Sequence, residues 1–166
     1  EWVNLGAGTS NSNLKNNYSS VKVHVNDKIV DSKNLHVGCF LGDHVKTAIG
    51  TLINTGSVIG AASMIASYGF IPKTLPPFSW YVNKKHQRID VDKFILTAEI
   101  VKKRRNKNFS RVEKELYKKI ANSWIKVIDQ LWHSDYIPFL FNRKKLMLEG
   151  IICPACEAPL DEVDIK

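Results

Sequence analysis

Two cysteines near the end of the chain have the spacing of a metal-binding or redox pair. Cys153 and Cys156 are separated by two residues, whereas Cys39 lies far away in the sequence. A structural zinc ion needs about four ligands, and no second pair is present to complete the set. We therefore predict no metal site. Three cysteines also make no disulfide framework, so we expect a reducing, cytoplasmic environment.

The chain is basic, with a formal net charge of +8 over 166 residues. This charge predicts an anionic partner, which could be a nucleic acid, an acidic protein or a phosphorylated small molecule. The densest basic run, Lys102 to Arg105, ends a predicted helix, where positive side chains suit the negative end of the helix dipole. Charge alone does not choose among these partners.

A polar stretch and a hairpin form the strongest candidate for a functional loop. Residues 13–20 are polar and turn-forming. The alternating segments Val21–Val25 and Lys28–Val30 follow around Asn26-Asp27, which predicts a β-hairpin. An excursion of this length inside a repeat is more often functional than not. The histidines nearby, His24 and His36, have no partner visible in the sequence.

The element that must position this loop is a six-residue repeat. Aliphatic or threonine residues recur at every sixth position, at Leu41, Thr47, Ile53, Ile59, Ile65 and Ile71. This period fits neither an amphipathic helix nor a hairpin ladder, but it fits a left-handed parallel β-helix of hexapeptide repeats. Each hexad would form one flat side, so that Leu41 lies under Ile59 and Thr47 under Ile65. A sandwich of short strands is the alternative, but it requires a period of two.

The corners of this coil are expected at the small residue four positions after each leading one. These residues are Val45, Thr51, Ser57, Ser63 and Gly69. Glycine turns such a corner at positive φ without steric cost. A charge at Ser57 should therefore be tolerated far better than one at Ile59, and His44 is expected to be exposed.

The predicted fold class is mainly β, with the β-helix followed by an α-helical extension. We place the β-helix at residues 1–80 with an inserted loop and hairpin at 12–34, the helical extension at 81–150, and an unassigned tail at 151–166. Asp90 is an acceptable N-cap for a first helix, and Ser110 with Glu113 fits a capping box for a second. A third helix is possible within 137–148. Residues 1–6 read as the middle of a repeat, so we expect the chain to be part of a longer protein.

With this pattern established, two strings carry a resemblance to a known family. GAGTSNSNLKNNYSSVKV, followed by LGDHVKTAIGTLINTGSVIG, resembles the C-terminal acyltransferase domain of bifunctional sugar-phosphate nucleotidyltransferases. These are the bacterial glucosamine-1-phosphate acetyltransferase/uridylyltransferases and their archaeal and Bacteroidetes-type relatives. The resemblance runs from about Val3 to Trp80 and more weakly to about Arg105.

The resemblance implies acetyl transfer from acetyl-CoA to the amine of an amino-sugar 1-phosphate. It also implies a homotrimer with acetyl-CoA between adjacent coils, and an N-terminal nucleotidyltransferase domain, absent here, which alone would use Mg²⁺. The general base would be a histidine upstream of Glu1, so this chain by itself is expected to be inactive. The basic run from Lys102 could then bind the 3′-phosphate of coenzyme A.

The resemblance also assigns site residues by position. Asn13 matches an asparagine that contacts the acyl group and the sugar, and Lys22 matches a lysine near the sugar phosphate. Ser19 stands where family members often carry a second lysine, which puts phosphate affinity or sugar identity in question. The small residues Ala48, Thr51 and Ala66 would let a pantetheine arm lie against the backbone of consecutive coils.

Each assignment has a plain structural alternative. Asn13 could simply stabilise a turn, and Lys22 could be an exposed hairpin lysine. For the whole chain, the first alternative is a non-catalytic coil that trimerises and regulates a nucleotidyltransferase. The second is a nucleic-acid-binding module, but the interleaved aromatic residues typical of such modules are missing. No apolar run approaches the roughly 20 residues of a membrane span, so we predict no membrane partner.

Overall fold

The computed structural model describes residues 1–25 and 28–133, with side chains to residue 124. This part of the chain is mainly β and ends in two helices. The strands are β1 (Ser10–Asn11), β2 (Lys22–Val25), β3 (Lys28–Asp31), β4 (Phe40–Leu41), β5 (Lys46–Thr47), β6 (Thr51–Ile53), β7 (Val58–Ile59), β8 (Met64–Ala66), β9 (Gly69–Phe70), β10 (Thr74–Leu75), β11 (Ser79–Val82) and β12 (Lys85–Arg88). The helices are α1 (Val91–Lys103) and α2 (Arg111–His133).

Successive short strands join three different sheets in a repeating order. β4, β7 and β10 form one sheet, β5, β8 and β11 a second, and β1, β6 and β9 a third. All of these neighbours pair in parallel. The chain therefore visits the three sheets in turn and returns to the first, so that each circuit adds one strand to each sheet.

The register of these sheets confirms the six-residue pattern. Leu41 pairs with Ile59, and Thr47 pairs with Ile65, as the period predicts. In the third sheet Leu52 pairs with Phe70, one residue before the predicted pair of Ile53 and Ile71. One circuit of the chain through the three sheets therefore takes three hexads in this part of the coil.

The leading residues of the hexads form the core. Ile53, Ile59, Ile65 and Ile71 are buried, and Val45, Leu75 and Tyr81 complete their cluster. A buried aliphatic side chain of this size contributes about 1.5–3 kcal/mol relative to an exposed one. The stacked isoleucines therefore account for much of the stability of the coil.

The predicted position of the corners is wrong by one residue. Val45, Thr51, Ser57 and Ser63 are fully buried, so they fill the interior beside the leading residues. The left-handed conformation lies at the preceding residue in each hexad, at His44, Gly50, Gly56 and Ala62, with φ between 62° and 70°. Gly69, with φ of 76°, follows the prediction. A six-residue period fixes the spacing of the corners but not which of two adjacent residues turns the chain.

One corner differs from the others because three of its four residues at positive φ have aromatic side chains. Trp2, His44, Ala62 and Phe78 have φ of 59°, 62°, 62° and 59°. Left-handed backbone costs a residue with a Cβ roughly 1–2 kcal/mol. We call these four residues the aromatic corner. Two of its side chains, His44 and Phe78, pack against the helices, which offsets this cost.

The coil continues past the last regular hexad. Leu75 pairs with Ile59 and Tyr81 with Ile65, so the last circuit is shorter than the ones before it. Pro72, Pro76 and Pro77 lie in this circuit. β12 then pairs with β11 in antiparallel fashion and covers the edge of the second sheet. A covered edge protects a solenoid from pairing with another chain.

The two helices begin at the predicted caps. The Asp90 carboxylate accepts hydrogen bonds from the backbone N–H groups of Asp92 and Lys93. At the second helix, the Glu113 N–H donates to Ser110 Oγ, and the Ser110 N–H donates to Glu113 Oε2, which is a complete capping box. Of the helices described, none has the length and apolar character needed to cross a membrane. The possible third helix and the tail lie outside the described residues.

Candidate functional site

The polar loop leaves the coil and returns to it at one narrow neck. The Ser12 N–H donates to the Ile53 carbonyl at 2.9 Å, which anchors the outgoing strand to the coil. The Val37 N–H donates to the Asn13 carbonyl, also at 2.9 Å, which joins the two ends of the excursion. The described residues of the excursion, 14–25 and 28–36, are therefore held together at the neck, and we call them the protruding loop.

The predicted hairpin is confirmed and forms the stem of the protruding loop. β2 and β3 pair in antiparallel fashion, with Lys22 opposite Asp31 and Val23 opposite Val30. The Val21 N–H donates to the Asn34 carbonyl at 2.9 Å, and the Ser32 N–H donates to the Val21 carbonyl at 3.0 Å. The turn residues 26 and 27 lie outside the described part of the chain.

The hairpin rests on a corner of the coil that only glycine fits. Val21 and Val23 are buried against this corner. A Cβ on Gly56 would lie 2.7 Å from Val21 Cγ1 and 2.8 Å from the Lys22 carbonyl oxygen, and Gly56 has φ of 70°. A side chain at this position would therefore push the hairpin away from the coil.

Asp31 stabilises the far end of the hairpin. Its carboxylate accepts a hydrogen bond from the Lys33 N–H at 2.9 Å and pairs with Lys33 Nζ at 3.1 Å. Hydrogen bonds lower the pKa of Asp31 to about 2. The bond from the Lys33 N–H has the largest effect, and a bond with the Ser20 side chain adds to it. The carboxylate is therefore ionised at neutral pH and can accept these hydrogen bonds at the end of β3.

The two loop residues assigned by resemblance both face solvent. Asn13 lies at the neck, where its carbonyl is bonded to Val37 and its side chain is exposed. Lys22 is exposed on β2, opposite Asp31. Ser19 is exposed as well, and its N–H donates to Asn17 Oδ1 at 3.1 Å. A ligand over the loop could therefore reach these side chains.

The three small residues assigned to coenzyme binding do not lie on one surface. Ala48 and Ala66 are on adjacent coils of the second sheet, where the Ala48 N–H donates to the Ile65 carbonyl at 2.7 Å. Thr51 lies in the third sheet and is fully buried, and its hydroxyl donates to the Ala48 carbonyl at 3.0 Å. Ala48 and Ala66 thus share a face, whereas the side chain of Thr51 belongs to the interior.

The expectation that His44 is exposed is wrong. Its side chain is 2% exposed at the aromatic corner, and burial lowers its pKa to about 4. The sequence carries no signal for this, because three of the rings that cover His44, those of Phe94, Phe109 and Tyr117, lie far along the chain. The side chain of His86 already has a hydrogen-bond partner, since its Nε2 lies 2.7 Å from Ser79 Oγ in the adjacent strand.

His24 lies two residues after Lys22 in strand β2. It is partly buried, and burial first and the positive charge of Lys73 second lower its pKa. Its Nδ1 has no hydrogen-bond partner within the described residues. Groups of three or more metal-ligating side chains do not occur in the part of the chain that the structure describes. Cys153 and Cys156 lie outside that part.

No family model matches the chain. A curated protein of Sulfurisphaera tokodaii, named bifunctional sugar-1-phosphate nucleotidylyltransferase/acetyltransferase, is 43% identical to it over 65 residues. The match covers 39% of this chain and 16% of that protein. Part of the chain is therefore similar to a small part of a protein whose name combines nucleotidyl transfer with acetyl transfer.

Proposed function

We propose that this chain is the acyltransferase part of an enzyme that makes nucleotide sugars, built on a left-handed parallel β-helix. The observation that carries the proposal is the 43% identity over 65 residues to the bifunctional protein of S. tokodaii. The three-sheet parallel coil with its protruding loop agrees with it. The proposal places the chain in a longer cytoplasmic protein that also holds a nucleotidyltransferase domain.

In the proposed reaction, an amino-sugar 1-phosphate accepts the acetyl group of acetyl-CoA. The sugar amine attacks the thioester carbonyl, the new C–N bond forms, and the C–S bond breaks to release coenzyme A as the thiol. A general base takes the proton that the amine loses. In this scheme Asn13 donates a hydrogen bond to the carbonyl oxygen as it gains negative charge. The Lys22 ammonium binds the sugar phosphate.

Two of the histidines that the structure places are poorly suited to act as the base. His44 is enclosed by aromatic rings, and His86 is bonded to Ser79. Following the family resemblance, we assign the base to a histidine upstream of Glu1. The proposal also places the active site between coils of a homotrimer, with the pantetheine arm along Ala48 and Ala66 and only the backbone of Thr51 in reach.

A second function is favoured by one observation. Ser19 occupies the position where the related family often has a lysine, so the loop has less positive charge for a phosphate. In this alternative, the coil trimerises and regulates the nucleotidyltransferase domain without transferring acetyl groups.

One assay separates the two functions. The longer protein is incubated with acetyl-CoA and either glucosamine 1-phosphate or galactosamine 1-phosphate, and the free thiol is measured. We expect thiol release with at least one sugar and none from the 166-residue chain alone. Intact nucleotidyl transfer without thiol release from either sugar would replace the proposed function with the regulatory one.

A further inference from the structure

The side chain of His44 joins the coil to both helices. Its ring lies 5.5 Å from Phe94 of α1 and 5.5 Å from Tyr117 of α2, centroid to centroid, and both contacts are edge-on. Phe109, in the connection between the helices, is 6.1 Å away. On the coil side, Trp2 stacks on the same imidazole at 6.2 Å with an interplanar angle of 17°. His44 of the coil therefore contacts α1, α2 and the connection between the two helices.

The environment of this imidazole suits its neutral form. His44 is fully enclosed, and its Nδ1 has no hydrogen-bond partner among the described residues. A buried charge without a partner is far more costly than a buried neutral ring. Protonation of His44 would place such a charge between four aromatic side chains.

The charged groups around His44 mostly oppose protonation. Lys46, two residues further along the chain, Lys102 of α1 and, in the 166-residue chain, the amino group of Glu1 are cationic, and Asp43 is the acidic neighbour that favours the protonated form. Lys102 is itself buried, forms an ion pair with Glu113 of α2 at 2.5 Å, and lies over the rings of Trp2 and Phe109. Tyr117 stays neutral, because burial raises its pKa to about 12.

We propose that His44 is an acid-sensitive latch, which holds α1 and the first part of α2 on the aromatic corner while neutral and releases them when protonated. The core cluster of the coil, by contrast, contains no histidine and no carboxylate that would titrate between pH 4 and pH 7. Acid should therefore separate the helical region from the coil before the coil itself unfolds.

The pH window follows from the direction of the shift. In the docked state burial holds the pKa of His44 at about 4, whereas an undocked histidine returns towards its ordinary value of 6.5. The undocked state binds the proton more tightly, so docking is at full strength above about pH 6.5 and weakens as the pH falls towards 4. The capping carboxylate of Glu113, with a pKa lowered to about 2, titrates below this window.

The test is hydrogen exchange of the 166-residue chain between pH 7 and pH 4, corrected for intrinsic exchange rates. We expect the amides of α1 to lose protection as the pH falls from 6.5 to 4, while those of β6 to β8 keep theirs. His44→Phe removes the titrating group, and Phe78 shows that the corner accepts phenylalanine at φ of 59°. In this variant the loss should move at least about one pH unit lower. His86→Gln, which changes a histidine outside the helix contact, should leave the transition in place.

Two results would overturn the latch. One is loss of α1 protection at the same pH in the native chain and in His44→Phe. The other is simultaneous loss of protection in α1 and in β6 to β8, which would mean global unfolding. If His44→Phe does not fold, imidazole NMR of the native chain decides the question. A His44 titration that coincides with the loss of α1 protection supports the latch, and a normal titration near pH 6.5 in the docked state refutes it.

Discussion

The coil and the protruding loop meet at Gly56, but they are stabilised in different ways. In the coil, the residues that repeat every sixth position from Thr47 to Ile71 are buried, and the strands pair in parallel with those of neighbouring coils. In the loop, residues 16–19 are exposed, and local bonds such as Tyr18 N–H to the Lys15 carbonyl fix the backbone. The coil gains its stability from packing, and the loop gains its shape from hydrogen bonds and from its attachment to the coil. The exposed side chains of residues 16–19 are thus accessible to a ligand.

The largest expected effect is a charge placed inside the coil. Ile59→Asp puts a carboxylate into the core without a partner and should cost about 3–5 kcal/mol. Ser57→Asp should cost a similar amount, because Ser57 is fully buried rather than at a corner. Asn16→Asp on the exposed loop should change stability by less than about 0.5 kcal/mol. Thermal unfolding of the three variants checks this order, and a small effect of Ser57→Asp would contradict the observed register.

Ser57 was predicted to lie at a corner but is buried, which shows what a six-residue repeat can and cannot predict. The spacing of Leu41 and Ile59, the hairpin and both helix caps could be predicted, because each depends on residues close in sequence or on a strict period. Which residue of each hexad forms the corner could not be predicted, because serine and glycine suit either of two adjacent positions. His44 could not be placed either, because its burial depends on Phe94, Phe109 and Tyr117, which only tertiary packing brings to it.

A smaller effect is expected where the loop meets the coil. Gly56 and Gly50 both have φ of 70°, but only Gly56 lies against the hairpin, whereas a Cβ at Gly50 would meet nothing within 4 Å. Gly50→Ala should cost about 1 kcal/mol for the left-handed backbone. Gly56→Ala should cost about 1–3 kcal/mol more, because its Cβ would clash with Val21 and the Lys22 carbonyl. Equal unfolding free energies would show that the hairpin does not rest on this corner.

The smallest effect concerns acid and the loop alone. The hydrogen bonds to Asp31 depress its pKa to about 2, below its ordinary value of 3.8. Their contribution is therefore complete above about pH 4 and is lost as the pH falls through 2. The Lys33 amide proton should shift with a midpoint near pH 2 in an NMR titration, and this step should be absent in Asp31→Ala. A midpoint near 3.8 would mean that the carboxylate is not held as the structure places it.

If the proposed function is right, the coil is a scaffold and the loop carries the chemistry. The direct measurement is the steady-state kinetics of acetyl transfer in the longer protein carrying Asn13→Ala or Lys22→Ala. Asn13→Ala should lower kcat by roughly a hundredfold or more, as for the loss of one oxyanion donor. Lys22→Ala should mainly raise KM for the sugar phosphate, since the phosphate charge does not change during the transfer. Both variants should keep the native melting temperature and the nucleotidyl transfer rate. Unchanged acetyl-transfer kinetics in both variants would contradict the claim.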